Sequence, residues 1–273
     1  EAASEFDEPK GLAPEKADGM TMSGCLRSYG YRLRDEDVSF ETPAWADVLP
    51  KGFTRKPQGL ASPWWLEHPN DLDDLMGGEE ARDELVRYNF AYWGWLKNAS
   101  PLREQARRAE LVYLPFINGR RESRRLVGDV VLTANDLLAG RMFDDRVAYG
   151  GWGLDVHDVL GMQSVDSTGW GRGTHPRNVP IYSIPLRALY SKDIPNLLMA
   201  GRNISVTHLA LGSTRVGGTC AVQGQAAGTA AAMCAARGLT PRRLYETAIR
   251  DVQAALLADG VLIPESSRLC GGK

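Results

Sequence analysis

The stretch from Asn196 to Gly228 holds a dense set of residues able to do chemistry. An apolar run, Asn196 to Ala200, enters a polar loop containing Gly201, Arg202, Ser205 and His208. Gly212-Ser213-Thr214-Arg215 follows, and then Cys220 and Gly224-Gln225-Ala226-Ala227-Gly228. This reads as a buried strand over Asn196–Ala200 and a helix of little side-chain bulk over Ser213–Arg237, closed by Gly238. Gly-Ser-Thr at the start of that helix leaves backbone N–H groups aimed outward, a setting that favours a phosphate or the electron-rich edge of a reduced ring. Gly224, Ala227, Gly228 and Ala231 recur at three- and four-residue spacing and let another backbone approach closely. Tight core packing would also account for such a helix. Arg202, His208 and Arg215 tip the balance, because cations beside a core need a ligand or partner. His208 can move a proton near neutral pH, although a hydrogen-bonded loop residue is its plainer reading.

Other side chains are weaker candidates. Arg121 and Arg124 could bind a carboxylate or phosphate through guanidinium forks, or Glu122 could pair with them on a hairpin surface. Trp152, Asp155 and His157 could line a substrate pocket, although core packing explains a tryptophan as well. Trp64-Trp65 reads as core or interface filling. His68 and His175 have no partner at metal-ligand spacing, so no metal is expected. The hydrolase elbow G-x-S-x-G does not occur, which weakens a serine-esterase reading.

The elements that must position these residues can be read from periodicity. Strands are expected between Met20 and Phe40. A helix is expected over Glu79–Asn98, with Leu85, Tyr88, Tyr92 and Trp95 as its apolar stripe. Strands over Glu110–Ile117 and Leu126–Thr133 would join through Asn118-Gly119 as a hairpin. Further short strands fall at Val147–Gly153 and Tyr182–Ile184, with a glycine-rich loop at Ser167–Gly173. Thr240-Pro241 should start a last helix that stops near Gly260.

The chain has 273 residues, a net charge of -2 and 43% hydrophobic content, the profile of a globular protein with no bias toward nucleic acid or an anionic membrane. Its four cysteines form no C-x-x-C pair. The long low-charge run, Thr219–Ala236, is too rich in alanine and glycine for a membrane span. The opening Glu1 leads us to expect that upstream sequence is missing, together with any localisation signal; a cytoplasmic location is favoured.

Four blocks, in order, resemble a bacterial FAD-dependent oxidoreductase family. They are WWLEHPNDLDDL with ARDELVRYNFAYWGWLKN, GRRESRRLVGDVVLTANDL, AYGGWGLDVH, and IPLRALYSKDIPNLLMAGRNISVTHLALGSTRVGGTCAVQGQAAGTAAA. The resemblance implies a glutathione-reductase-like, two-domain flavoprotein of α/β class, or α+β by strict counting. In it a β-rich mixed substrate or cap domain precedes the C-terminal part of a Rossmann-like FAD-binding domain. The expected division is a loop over 1–19, a cap domain over 20–180, the FAD-domain part over 181–260 and a tail over 261–273. It further implies that Gly201, Arg202, Ser205, Gly212, Ser213, Thr214 and Arg215 lie near the flavin. Gln225 and Gly228 belong to the helix facing it. His208 is the expected catalytic group, and Arg121, Arg124, Trp152 and His157 are the expected substrate contacts. The family's G-x-G-x-x-G turn is not found; Gly169-x-Gly171-x-Gly173 has the wrong spacing. The implied reaction is hydride transfer from a small polar molecule, a sugar or polyol, to FAD. A non-catalytic module that binds carbohydrate or an anion is the competing reading.

Overall fold

The computed structural model describes residues 29–61, 63, 65–68, 72, 76–119, 122–157, 161–163, 165, 166, 169, 170 and 174–265. In chain order the first elements are β1 (Gly30–Leu33), α1 (Gly78–Asn98), α2 (Arg103–Ala106), β2 (Ala109–Tyr113) and α3 (Ala134–Leu138). Then come β3 (Arg146–Gly150), β4 (Leu154–His157), β5 (Val165–Asp166), β6 (Gly169–Trp170), β7 (Thr174–Arg177) and β8 (Tyr182–Pro185). Three helices close the chain: α4 (His208–Thr214), α5 (Gly217–Arg237) and α6 (Pro241–Ala258). This mixture of helices with two-stranded sheets is the expected α/β or α+β class. Among the described residues, no helix is long and apolar enough to cross a membrane.

The chain divides into two compact units. Of the described residues, one unit takes 123–156 and 175–265; the other takes 29–122 and the described part of 157–174. In the first, β3 and β8 pair antiparallel, with Ala148 opposite Ile184 and Gly150 opposite Tyr182. Helix α5 packs on β3, and α6 packs on α5. The shared core includes Val147, Ile184, Leu211, Ala226, Leu244 and Leu256. Gly238 ends α5 in the left-handed region, at φ 64°, and the Thr240 side chain accepts from the Arg243 N–H to cap α6. These helix ends fall where the sequence places them.

In the second unit the twenty-one-residue α1 buries Leu85, Tyr88, Tyr92 and Trp93. Trp65 fills the same core and meets Tyr92 edge to face at 5.4 Å, as expected of a packing residue; Trp64 lies outside the described residues. Strands β1 and β2 pair antiparallel, Arg32 opposite Glu110. Both Arg32 and Arg34 donate to the Glu110 carboxylate at 2.6 Å, and these two guanidinium groups pull its pKa down to about 2.

The hairpin expected through Asn118-Gly119 does not form. Strand β2 takes β1 as its partner, and residues 126–133 belong to the other unit. There they bond to chain far downstream: Leu126 N–H to Asn203 O at 3.0 Å, and Leu132 N–H to Ser205 O at 3.0 Å. A turn dipeptide acts locally, whereas buried backbone pairs wherever burial is greatest. The Asn196–Ala200 strand reduces to an isolated bridge between Tyr190 and Leu198. The segments 1–28, Arg121 and most of the 167–173 loop fall outside the described residues.

Candidate functional site around the start of helix α5

The helix expected over Ser213–Arg237 is broken in two. Helix α4 ends when the Arg215 N–H reaches Leu211 O at 3.2 Å, and Val216 then turns extended, with ψ 148°. The Gly-Ser-Thr run is therefore the buried C-terminal end of α4, and the open helix start belongs to Gly217, Gly218 and Thr219. Val216 supplies no side-chain cap, so those three N–H groups have no intrahelical acceptor. Gly217 and Gly218 are exposed, and no atom lies within 4 Å of where their Cβ atoms would be. This is an uncapped positive dipole end on a long helix, open to a negatively charged or electron-rich group.

Several buried bonds hold that start in place. Ser213 Oγ donates to Trp152 O and accepts from the Tyr182 hydroxyl at 2.7 Å. Burial pushes the Tyr182 phenol up, which keeps it a donor. The Arg215 guanidinium donates to Asp155 O at 3.0 Å and to its carboxylate at 3.3 Å, tying the end of α4 to β4. A Cβ at Gly212 would sit 3.1 Å from the Asp155 N atom, so a side chain there would push α4 off β4.

Gln223, fully buried in α5, is the residue that sequence reasoning missed. Its Oε1 accepts from Gly201 N–H at 2.8 Å, while its Nε2 donates to Thr214 O at 3.2 Å. One amide thus fixes the 201–203 loop and the end of α4 to the same helix. Gly201 takes φ 90°, which a side chain would strain, and Arg202 beside it is exposed. A buried amide in a helix of alanine and glycine was the available signal, because such a group needs partners for both ends. Cys220 Sγ donates to the same Thr214 carbonyl at 3.7 Å; burial pushes its thiol up, with Arg202 opposing.

The remaining candidates are dispersed. His208 is half-buried as the first residue of α4, where the Thr207 side chain caps the helix. Gln225 and Gly228 are exposed, about 12 and about 16 Å along α5 from Gly217 at the helical rise. The close backbone expected against Gly224 and Gly228 is not met among the described residues, since nothing lies within 4 Å of their Cβ positions. Trp152 is 57% exposed on a glycine-flanked loop. Arg124 is exposed, whereas Glu122 is buried.

In the second unit His157 is buried, and its Nδ1 meets Glu67 Oε2 at 2.8 Å. The adjacent His68 meets Glu84 at 3.1 Å. Glu67, which the sequence reading passed over, is a carboxylate that can fix the tautomer of His157. No group of three or more His, Cys, Asp or Glu suited to a metal ion occurs among the described residues.

The site can be tested for fit to a flavin. Among the described residues, Ser205 Oγ and Thr214 Oγ1 are buried without a hydrogen-bond partner, and the Thr214 carbonyl accepts from Cys220 and Gln223 in the first two turns of α5. An orphaned hydroxyl at Thr214, two residues before Val216 at the uncapped helix start, suits a polar, electron-rich group. A family model described as FAD dependent oxidoreductase matches residues 15–256. No curated protein and no solved structure matches the chain. With residues 15–256 of its 273 matched, the chain belongs to the FAD dependent oxidoreductase family.

Proposed function

We propose that this flavin oxidoreductase is of the glutathione-reductase-like kind and oxidises a small polar organic molecule, a sugar or a polyol. FAD, when bound, supplies the hydride acceptor. Gly217, Gly218 and Thr219 would offer their N–H groups to the cofactor. Gly201, Arg202, Ser205 and the Gly212–Arg215 corner frame the cofactor, with Gln225 and Gly228 further along the helix. His208 takes the substrate hydroxyl proton as the carbon gives up hydride. Trp152 and Arg124 contact the substrate. The observation that carries this reading is the uncapped, sterically open start of α5.

The test is the visible spectrum of the protein expressed from its natural gene. Oxidised-flavin bands that bleach under anaerobic addition of sugars or polyols are expected. Flavin bands that bleach with none of them would discard the sugar or polyol substrate. A folded, colourless protein that takes up no FAD would discard the site.

A further inference from the structure

A cavity of about 840 Å³ lies wholly within the second unit, between residues 47–56 and the C-terminal end of α1. Pockets for small organic ligands commonly fall near this size. Phe53 is buried in its floor and meets Trp95 edge to face, with ring centroids 5.0 Å apart and planes at 87°. The rim is basic: Lys51, Arg55 and Lys56 line the cavity, against a single carboxylate, Asp47.

The charge at this rim is unusual for the unit. Arg32, Arg34, Arg82, Arg103, Arg107 and Arg108 each meet a carboxylate. Arg87 and Lys97 donate to backbone carbonyls, and Arg55 lies over the Trp65 ring at 4.4 Å. Lys51 and Lys56 are exposed, and among the described residues no hydrogen bond or ion pair engages either of them. Two uncompensated ammonium groups at one mouth repel each other and attract anions. The loop that carries them is stiffened by Pro50 and turned at Gly52, with φ 76°. A lining that combines aromatic rings with cations suits an apolar aromatic body carrying a negative group.

We propose that this pocket binds a small planar organic anion, an aromatic carboxylate or sulfonate, with its charge at Lys51 and Lys56 and its ring on Phe53 and Trp95. The site is independent of the flavin reading, so it stands or falls separately from it.

Calorimetric titration of the whole chain with 2-naphthoate, and with the neutral 2-naphthylmethanol, tests the assignment. One-to-one binding of the acid is expected, at least about tenfold tighter than the alcohol. It should weaken as salt is raised and weaken about tenfold or more in Lys51→Glu/Lys56→Glu, two exposed changes that leave the core intact. Bound naphthoate should also protect both lysines of the unaltered chain from acetylation, a readout that requires no variant. No saturable binding, equal affinity for the alcohol, unchanged affinity in the double variant, or unprotected lysines would each overturn the proposal.

Discussion

Gln223 bridges Gly201 and Thr214 through both ends of one buried amide, so its replacement by leucine strands a backbone N–H and a carbonyl together. An unsatisfied buried polar group costs about 1–3 kcal/mol. Gln223→Leu should therefore lower unfolding stability by about 2–4 kcal/mol in denaturant melts and reduce flavin retention, whereas Gln225→Leu, at an exposed position, should do neither. Arg215 and Arg124 offer a second contrast. The Arg215 guanidinium is committed to Asp155, and the exposed Arg124 has no such bond. Arg215→Ala should lower flavin content, read as the absorbance ratio of flavin to protein, and Arg124→Ala should leave it unchanged. Equal flavin content in the two variants would count against the α4–α5 corner as the cofactor frame. His208→Ala should slow flavin reduction under single-turnover conditions with FAD still bound; an unchanged rate would remove His208 from the chemistry.

Helix α5 combines an anchored face with an open one. Ala226, Ala230 and Cys234 face the core, while among the described residues nothing lies within 4 Å of the Cβ positions of Gly224 and Gly228. A glycine inside a helix costs about 1 kcal/mol relative to alanine, so Gly224→Ala and Gly228→Ala should each raise the stability of this chain by roughly 0.5–1 kcal/mol. Thermal melts decide the matter: a loss of stability would mean that the face is covered in the native protein. The capping of α6 is a local matter by comparison. Thr240→Ala removes one side-chain bond to an N–H of the first turn and should cost about 1 kcal/mol.

At the scale of the molecule, each unit carries a carboxylate held below its usual range. In one unit, hydrogen bonds from Arg34 and Arg32 hold Glu110 at about 2. In the other, Arg242 first and Tyr190 after it lower Asp129. A carboxylate depressed by folding stabilises the native state above its ordinary pKa, and that contribution is lost as pH falls toward the folded value. For Glu110 the loss runs from about 4.5 to about 2. Denaturant melts across that range should show stability falling with acid. Glu110→Gln should flatten the fall in the unit holding β1 and β2, and Asp129→Asn should flatten it in the other. A slope unchanged by either substitution would show that these pairs do not set the acid limit.

The readings that the sequence settled by itself are those whose signals act within a turn or two of chain. The extent of α1 followed from the three- and four-residue spacing of Leu85, Tyr88 and Tyr92, and the start of α6 from Thr240-Pro241. The FAD class was legible because four blocks follow one another in the family's order, and the family match bears out that class. Tertiary structure decided what depends on partners distant in sequence. Residues 126–133 turned away from the Asn118-Gly119 hairpin because their backbone groups found acceptors at Asn203 and Ser205. Helix α5 began at Gly217 instead of Ser213 because Ser213 bonds to Trp152 and Arg215 to Asp155, contacts that an unbroken helix could not make. Glu67 came to hold His157 across ninety positions of chain. Periodicity and caps record the preferences of neighbouring residues. Which buried donor meets which acceptor is fixed only when the whole chain has chosen what to bury.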